Sequence, residues 1–214
     1  MFNQLPNELL FDIGLLLPIP AIAAFSLTSW RLNNLLAQND LYWKCRYKQD
    51  FGKLEDIYDW KQEYNEKLSA DISTVNKDIR GLNYVHYQTP EICLAAVKKN
   101  GLALEYVKKQ NPEICWAAVQ QWGKALEYVK KQNPEICLAA VQQDSGALYY
   151  VEVQTEEICL AAVQQYGGAL YYVKVQTEKI CLAAVQQEGW ALQYVKKQTE
   201  EICLAAVKKN GRVL

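Results

Sequence analysis

The sequence predicts an all-α protein in two parts, a short three-helix domain followed by an α-solenoid. Three observations lead there. Six of the seven cysteines, Cys93, Cys115, Cys137, Cys159, Cys181 and Cys203, are spaced by 22 residues every time. Each sits in the same string, Glu/Lys-Ile-Cys-Leu/Trp-Ala-Ala-Val. The first 66 residues instead carry Pro-punctuated amphipathic segments with no trace of that period. A fixed period near 20 residues marks an array of supersecondary units that bury their apolar faces only on one another.

Numbered from Thr89, repeats begin at Thr89, Asn111, Asn133, Thr155, Thr177 and Thr199, giving five full repeats, a sixth that ends early at Leu214, and a half repeat, Ile79 to Gln88, just upstream. Position 1 is Thr or Asn and position 2 is Pro or Glu, an N-cap and a first-turn residue. A first helix is expected from there to about position 11, stopped by a left-handed Gly at position 13 in five of the six repeats, with Ser145 in the other. Its positions 4, 5, 7, 8 and 9, in repeat one Ile92, Cys93, Ala95, Ala96 and Val97, cover more than half a helical wheel, so it lies between neighbours. A second helix is expected over positions 14 to 21, with its apolar face at Ala103, Leu104, Tyr106 and Val107. The domain boundaries read as 1–66 and 67–214. The LxxLxL pattern of leucine-rich repeats is absent.

Composition narrows function. Half of the 214 residues are hydrophobic, and the net charge is −1, evenly spread. No basic face is concentrated enough for phosphate-backbone binding as the main role. The longest apolar run, Leu15 to Phe25, is broken by Pro18 and Pro20, too short for a bilayer span, and the N-terminus lacks the basic and apolar regions of a secretory signal. A cytoplasmic location is expected. With His86 the one histidine, there are few proton shuttles, so no catalytic residue, metal or cofactor is expected, and the chain reads as a non-enzyme. The repeated cysteines hold one position in successive repeats, too far apart for disulfides and without ligand spacing; they read as small buried thiols. Gln88, Gln110, Gln132, Gln154, Gln176 and Gln198 at position 22 read as an amide ladder bonding loop backbone between repeats, and the Lys pairs such as Lys130-Lys131 and Lys196-Lys197 as solvated helix ends.

The repeats differ most informatively at positions 14, 17 and 21, on the outward side of the second helix. Repeats one and two hold Glu105/Lys109 and Glu127/Lys131 there, i,i+4 pairs of favourable orientation. Repeats three and four hold Tyr149/Val153 and Tyr171/Val175, beside Gly146 and Gly168, and Trp190 adjoins them from repeat five. An exposed apolar patch of this kind marks a contact, so these five residues are the candidate target-binding set.

Near the N-terminus stand Leu5-Pro6-Asn7-Glu8-Leu9-Leu10 running on through Ile13, then Ser26-Leu27-Thr28-Ser29-x-Arg31, then Trp43-Lys44, and later Trp60-Lys61-x-x-Tyr64. This pattern resembles the F-box, the motif by which substrate receptors dock on the Skp adaptor of cullin-RING ubiquitin ligases. Trp60 to Tyr64 resembles the tail helix that follows many F-boxes. Relative to that family the stretch before Leu35 carries an extra residue. The resemblance implies that Leu5, Pro6, Leu9, Ile13, Leu27 and Trp43 form the adaptor-facing or supporting apolar set. The repeats resemble a helical family of unassigned function found beside F-boxes in giant viruses and in bacteria that live inside amoebae, which implies a host-directed effector in host cytosol.

Together these imply a bridge: a substrate receptor that engages the Skp-type adaptor, and through it a cullin, while its solenoid holds an unidentified target protein. Two alternatives are a scaffold that binds the adaptor without ubiquitination, and a single-strand nucleic-acid binder stacking bases on Trp116, Trp122, Tyr166 and Trp190. The sixth repeat ends without a polar cap, from which self-association through the C-terminus is expected.

Overall fold

The computed structural model describes residues 5–18, 21, 22, 24, 32–52 and 59–212. Among these every regular element is helical and no strand occurs. The protein has the expected all-α, solenoid-like repeat fold. The chain divides into two compact parts, 1–96 and 97–214. The expected boundary at 66/67 falls inside the helix Trp60–Lys77, and the division at 96/97 falls inside the helix Pro90–Lys99.

In the N-terminal part, α1 (Asn7–Leu16) starts behind Pro6 and ends where Leu17 turns extended ahead of Pro18. A π-helical turn, Asn33–Ala37, follows. Helix α2 (Asp40–Phe51) is capped by Asn39, whose side chain accepts from the Tyr42 N–H, and stops at Gly52 in the left-handed region with φ 74°. Helix α3 (Trp60–Lys77) is capped in the same way by Asp59 on the Gln62 N–H. The core between them is aromatic: Tyr42, Trp43, Tyr47, Phe51, Trp60 and Tyr64 pack with Ile22 and Leu36. Ring pairs such as Trp43–Tyr64 at 5.4 Å and Tyr47–Phe51 at 5.0 Å bind it together. Large rings let a small helical domain bury enough apolar area to hold a fixed structure.

Each repeat opens with a ten-residue α-helix, Pro90–Lys99, Pro112–Gln121, Pro134–Gln143, Glu156–Gln165, Glu178–Gln187 and Glu200–Lys209. The position-1 side chain caps each one, as where Asn133 accepts from the Ile136 N–H at 2.7 Å and Thr155 from the Ile158 N–H at 3.3 Å. The Ile, Cys, Ala and Val of positions 4, 5, 8 and 9 are buried in the interior repeats, as the wheel required, whereas position 7 is buried at Ala139 and only half-buried at Ala95, Ala117, Ala161 and Ala183.

The second element departs from expectation. It is a six-residue 3₁₀ helix over positions 13 to 18, Gly101–Tyr106, Gly123–Tyr128, Ser145–Tyr150, Gly167–Tyr172 and Gly189–Tyr194, followed by extended chain. The Gln ladder is what ends it. Gln110 donates Nε2–H to the Tyr128 carbonyl at 2.7 Å, and its Oε1 accepts the Lys130 N–H at 2.9 Å. Gln132, Gln154 and Gln176 repeat both bonds on the next repeats. These are backbone groups that a longer helix would pair internally, so the neighbour's amide replaces the next helical turn. Lys130 and Lys174 add Nζ bonds to carbonyls of the preceding repeat. Lys130 and Lys196 therefore serve as inter-repeat ties, not as the solvated helix ends the sequence suggested.

Position-13 glycine is not left-handed either; Gly52 alone among the described residues has positive φ. A Cβ at Gly167 would lie 2.6 Å from the Ala184 carbonyl oxygen of the next repeat, whereas repeat three holds a buried Ser145 at the same position. Gly167→Ala is accordingly expected to cost about 1 kcal/mol, the low end for overpacking, since Ser145 shows that a repeat can make room for a Cβ at this position. Gly146→Ala, whose Cβ would meet chiefly the Asp144 and Lys124 side chains, is the internal control and should cost less. Urea midpoints of the two variants check the ordering.

Candidate functional site

Two apolar surfaces stand out, one in each compact part. On α1 the inward side chains are Leu10 and Gly14, both buried, with Phe11 and Leu15 packed against the aromatic core. The other side of the helix stays apolar. Leu9 is 46% and Leu16 83% exposed, Leu5 and Ile13 are half-buried, and Pro6 is exposed. Leu9, Ile13 and Leu16 recur at helical spacing and so make one stripe, and Leu5 precedes the Pro6 cap, outside the helix. Trp43 is elsewhere: it is buried in the core and donates Nε1–H to the Ala37 carbonyl at 3.2 Å, a supporting position. Leu27 lies outside the described residues.

What holds the stripe outward was not singled out in the sequence. Arg46 is buried on the core side of α2 and pairs with Asp50 at 2.6 Å. Its Nη1 donates to the Leu15 and Leu17 carbonyls at 3.0 and 2.8 Å, the unpaired end of α1. Tyr64 donates its hydroxyl to Asp50 at 2.6 Å, and Tyr42 donates to the Gly14 carbonyl at 3.1 Å. Burial works to lower the Arg46 pKa, but Asp50 and Tyr64 outweigh it and hold the guanidinium charged. Burial drives the Tyr64 phenol well above its ordinary range, with Asp50 adding to the shift, and pushes Tyr42 up to about 12 against the pull of Arg46. The signal was present: Arg46 shares a helical face with Tyr42, and Asp50 follows it at i+4.

In the second part the five target-face residues come together as part of a larger strip. Tyr149, Val153, Tyr171 and Val175 are 65–76% exposed, and Trp190 is half-buried. Seven rings run edge to face in one chain, Tyr150–Tyr149–Tyr172–Tyr171–Tyr194–Trp190–Tyr166, with centroid separations of 5.0, 5.7, 5.2, 5.4, 5.8 and 5.7 Å. Gly168 lies buried beneath the last two rings; a Cβ there would meet Trp190 and Tyr166 at 2.6 Å. The contribution of Tyr150, Tyr172 and Tyr194 was missed because position 18 is Tyr in every full repeat and therefore looked structural. Because the 3₁₀ helix ends at position 18, Glu105/Lys109 and Glu127/Lys131 are not the helical i,i+4 pairs expected of them. Of the four rings considered as stacking platforms, Tyr166 and Trp190 meet, while Trp116 sits on the first helix of its own repeat.

The cysteine ladder is buried from Cys93 to Cys181, whereas Cys203 is half-buried, a correction to the expectation of six equivalent thiols. Each Sγ from Cys115 onward lies 3.4–3.9 Å from the Oε1 of the position-22 Gln. Burial pushes the Cys93 thiol up to about 12 and raises those of Cys115, Cys137, Cys159 and Cys181. A disulfide reagent on the native protein should therefore label Cys45 and Cys203 first and the other five only on unfolding. The raised thiols also set a pH dependence. Their contribution to stability is full below about pH 8.5, where the unfolded thiol begins to ionise, and is lost as pH climbs toward the folded values.

Among the described residues no group of three His, Cys, Asp or Glu side chains is placed to hold a metal ion, and no helix is long and apolar enough to cross a membrane.

The repeats are similar to a domain of unknown function, DUF4116. Its family model matches residues 89–132, 111–154 and 177–214. The matched windows start at repeat boundaries, so the DUF4116-like unit is the capped α-helix with its 3₁₀ partner, taken about two repeats at a time. Neither a curated protein nor a solved structure matches the chain. The DUF4116-like windows take in the strip residues Tyr149, Val153 and Trp190, and none of them reaches α1.

Proposed function

We propose that the chain is the substrate-receptor subunit of a Skp-cullin-F-box ubiquitin ligase, acting as a host-directed effector in the cytosol of the invaded cell. The observation that carries this reading is the outward apolar stripe of α1. A helix clamped on one side by Arg46 and the aromatic core, and left apolar on the other at Leu9, Ile13 and Leu16, with Leu5 just ahead of its cap, is built to dock. The LPxELL opening supports the Skp-type adaptor as the docking partner, with Trp43 and Leu27 in supporting places. The aromatic strip of the repeats supports a separate target-holding face. In this role no residue of the chain does chemistry. Its work is to hold a target near the transferring enzyme, which raises the effective concentration of the target lysine.

The test is capture from eukaryotic cytosol with the full chain as bait. Co-purification of the Skp-type adaptor together with a cullin supports the reading; recovery of neither removes it. Ubiquitination of a co-captured protein in a reconstituted ligase then separates a receptor from a scaffold that only binds the adaptor.

A further inference from the structure

The aromatic strip allows the chemistry of its ligand to be specified, resting on the strip's role as the target-holding face. We propose that it binds an uncharged, proline-rich segment in the polyproline II conformation, laid across repeats three to five.

Charge is the first ground. Positions 17 and 21 carry Glu105, Lys109, Glu127 and Lys131 before the strip and Lys197 after it, but Tyr149, Val153, Tyr171 and Val175 within it. The exposed Glu152 and Lys174 at position 20 of these two repeats are of opposite sign, so the strip has no net charge and the complementary ligand is uncharged. An aliphatic, non-ionic backbone such as polyproline meets this condition, whereas a phosphate chain does not.

The relief of the surface is the second. Neighbouring rings meet at 59–84°, so ring faces and ring edges alternate along the strip instead of offering coplanar platforms. Pyrrolidine rings pack their C–H groups on such electron-rich faces and seat between the ridges, the mode by which aromatic grooves hold Pro-rich peptides. Among the described residues no hydrogen bond engages the hydroxyls of Tyr149 or Tyr171, and a polyproline II chain leaves all its carbonyls without internal partners. The two hydroxyls are the matching donors.

Spacing is the third. Tyr172 stands between Tyr149 and Tyr171 at 5.7 and 5.2 Å, so equivalent rings recur once per repeat. Packed helices repeat at roughly 8–10 Å. One turn of polyproline II, three residues, advances about 9 Å and returns a side chain to the same face. Same-face residues of a β-strand recur at about 6.7 Å, and one turn of an α-helix advances about 5.4 Å. Polyproline II is the conformation whose own period meets that of the repeats.

Fluorescence anisotropy of a labelled decaproline peptide, titrated with the full chain and no adaptor, tests this. Saturable binding to decaproline and not to a Gly-Ser peptide of equal length is expected. The quadruple variant Tyr149→Glu, Val153→Lys, Tyr171→Glu, Val175→Lys should keep its helical circular dichroism and lose at least tenfold in affinity. Tyr149→Phe with Tyr171→Phe, which keeps the rings, should lose affinity severalfold through the missing donors. No saturable binding at millimolar protein, undiminished binding by the folded quadruple variant, or tighter binding of an oligouridine or a leucine-rich helical peptide would overturn the proposal. So would unfolding of the quadruple variant, which would make the strip internal packing. Because the adaptor is absent, decaproline binding without adaptor capture would retain this surface and remove the ligase role, and the reverse result would do the opposite.

Discussion

Arg46→Met is expected to destabilise the N-terminal part by about 3–5 kcal/mol, the range found when one partner of a buried ion pair is removed. The side chains of Arg46 and Asp50 are only 4% and 9% exposed, so solvent does not take over when the guanidinium is lost. Asp50 keeps the Tyr64 hydroxyl but loses its cation, and the Leu15 and Leu17 carbonyls lose their shared donor. Adding Asp50→Asn should recover part of the loss, because of the two carboxylates that face the lost guanidinium, Asp50 at 2.6 Å and Glu91 at 3.8 Å, the nearer is then neutral. Arg46→Lys should fall between, since an ammonium cannot reach the carboxylate and two carbonyls in one planar arrangement. Urea unfolding of the three variants, followed by near-ultraviolet circular dichroism of the ring cluster, measures the series. A loss below 1 kcal/mol for Arg46→Met would mean that the aromatic core fixes α1 unaided.

The second large effect concerns the adaptor. Leu5→Asp combined with Pro6→Ala should abolish capture of the Skp-type adaptor while helical content stays unchanged. Each fully buried apolar side chain contributes roughly 1.5–3 kcal/mol to a contact, and Asp in its place adds the cost of desolvating a charge. Leu5 is half-buried and Pro6 exposed in the free chain, so the substitutions leave the core of Tyr42, Trp43 and Tyr64 untouched. Leu9→Asp, at 46% exposure, is the single-site version. A folded double variant that still captures the adaptor would refute docking through α1.

The repeat period, the position-1 caps and the buried Ile, Cys, Ala and Val faces were legible in the sequence, because they follow from helix geometry and recur six times. The 3₁₀ form of the second element was not. Its six residues carry apolar side chains at a spacing compatible with either helix type, and what decides between them is a bond from Gln132 to Tyr150, 18 residues away. Local pattern cannot report such a partner. Gly123 and Gly167 were noticed for the right position and the wrong reason: the constraint is a neighbour's carbonyl, not a backbone angle. At the candidate site, exposure of Tyr149, Val153, Tyr171 and Val175 followed from comparing repeats with one another. The ring chain joining them did not, since the edge-to-face contact between Tyr171 and Tyr194 crosses a repeat boundary. Arg46 was passed over because a cation among aromatics reads as a surface residue until the carbonyls it serves are in view.

The amide ladder bears on how such an array can lengthen in evolution. Gln110, Gln132, Gln154 and Gln176 each close the helix of the repeat that follows, 18 and 20 residues along the chain. A gene duplication that adds 22 codons, wherever in the period its endpoints fall, creates a new amide and a new acceptor together and leaves every older junction intact. An insertion of any other length leaves an amide and its backbone targets out of reach of each other. Unequal recombination between near-identical copies is therefore expected to add or delete whole repeats without breaking a junction, whereas an insertion of another length breaks one and a single-residue change at Tyr149 or Tyr171 breaks none.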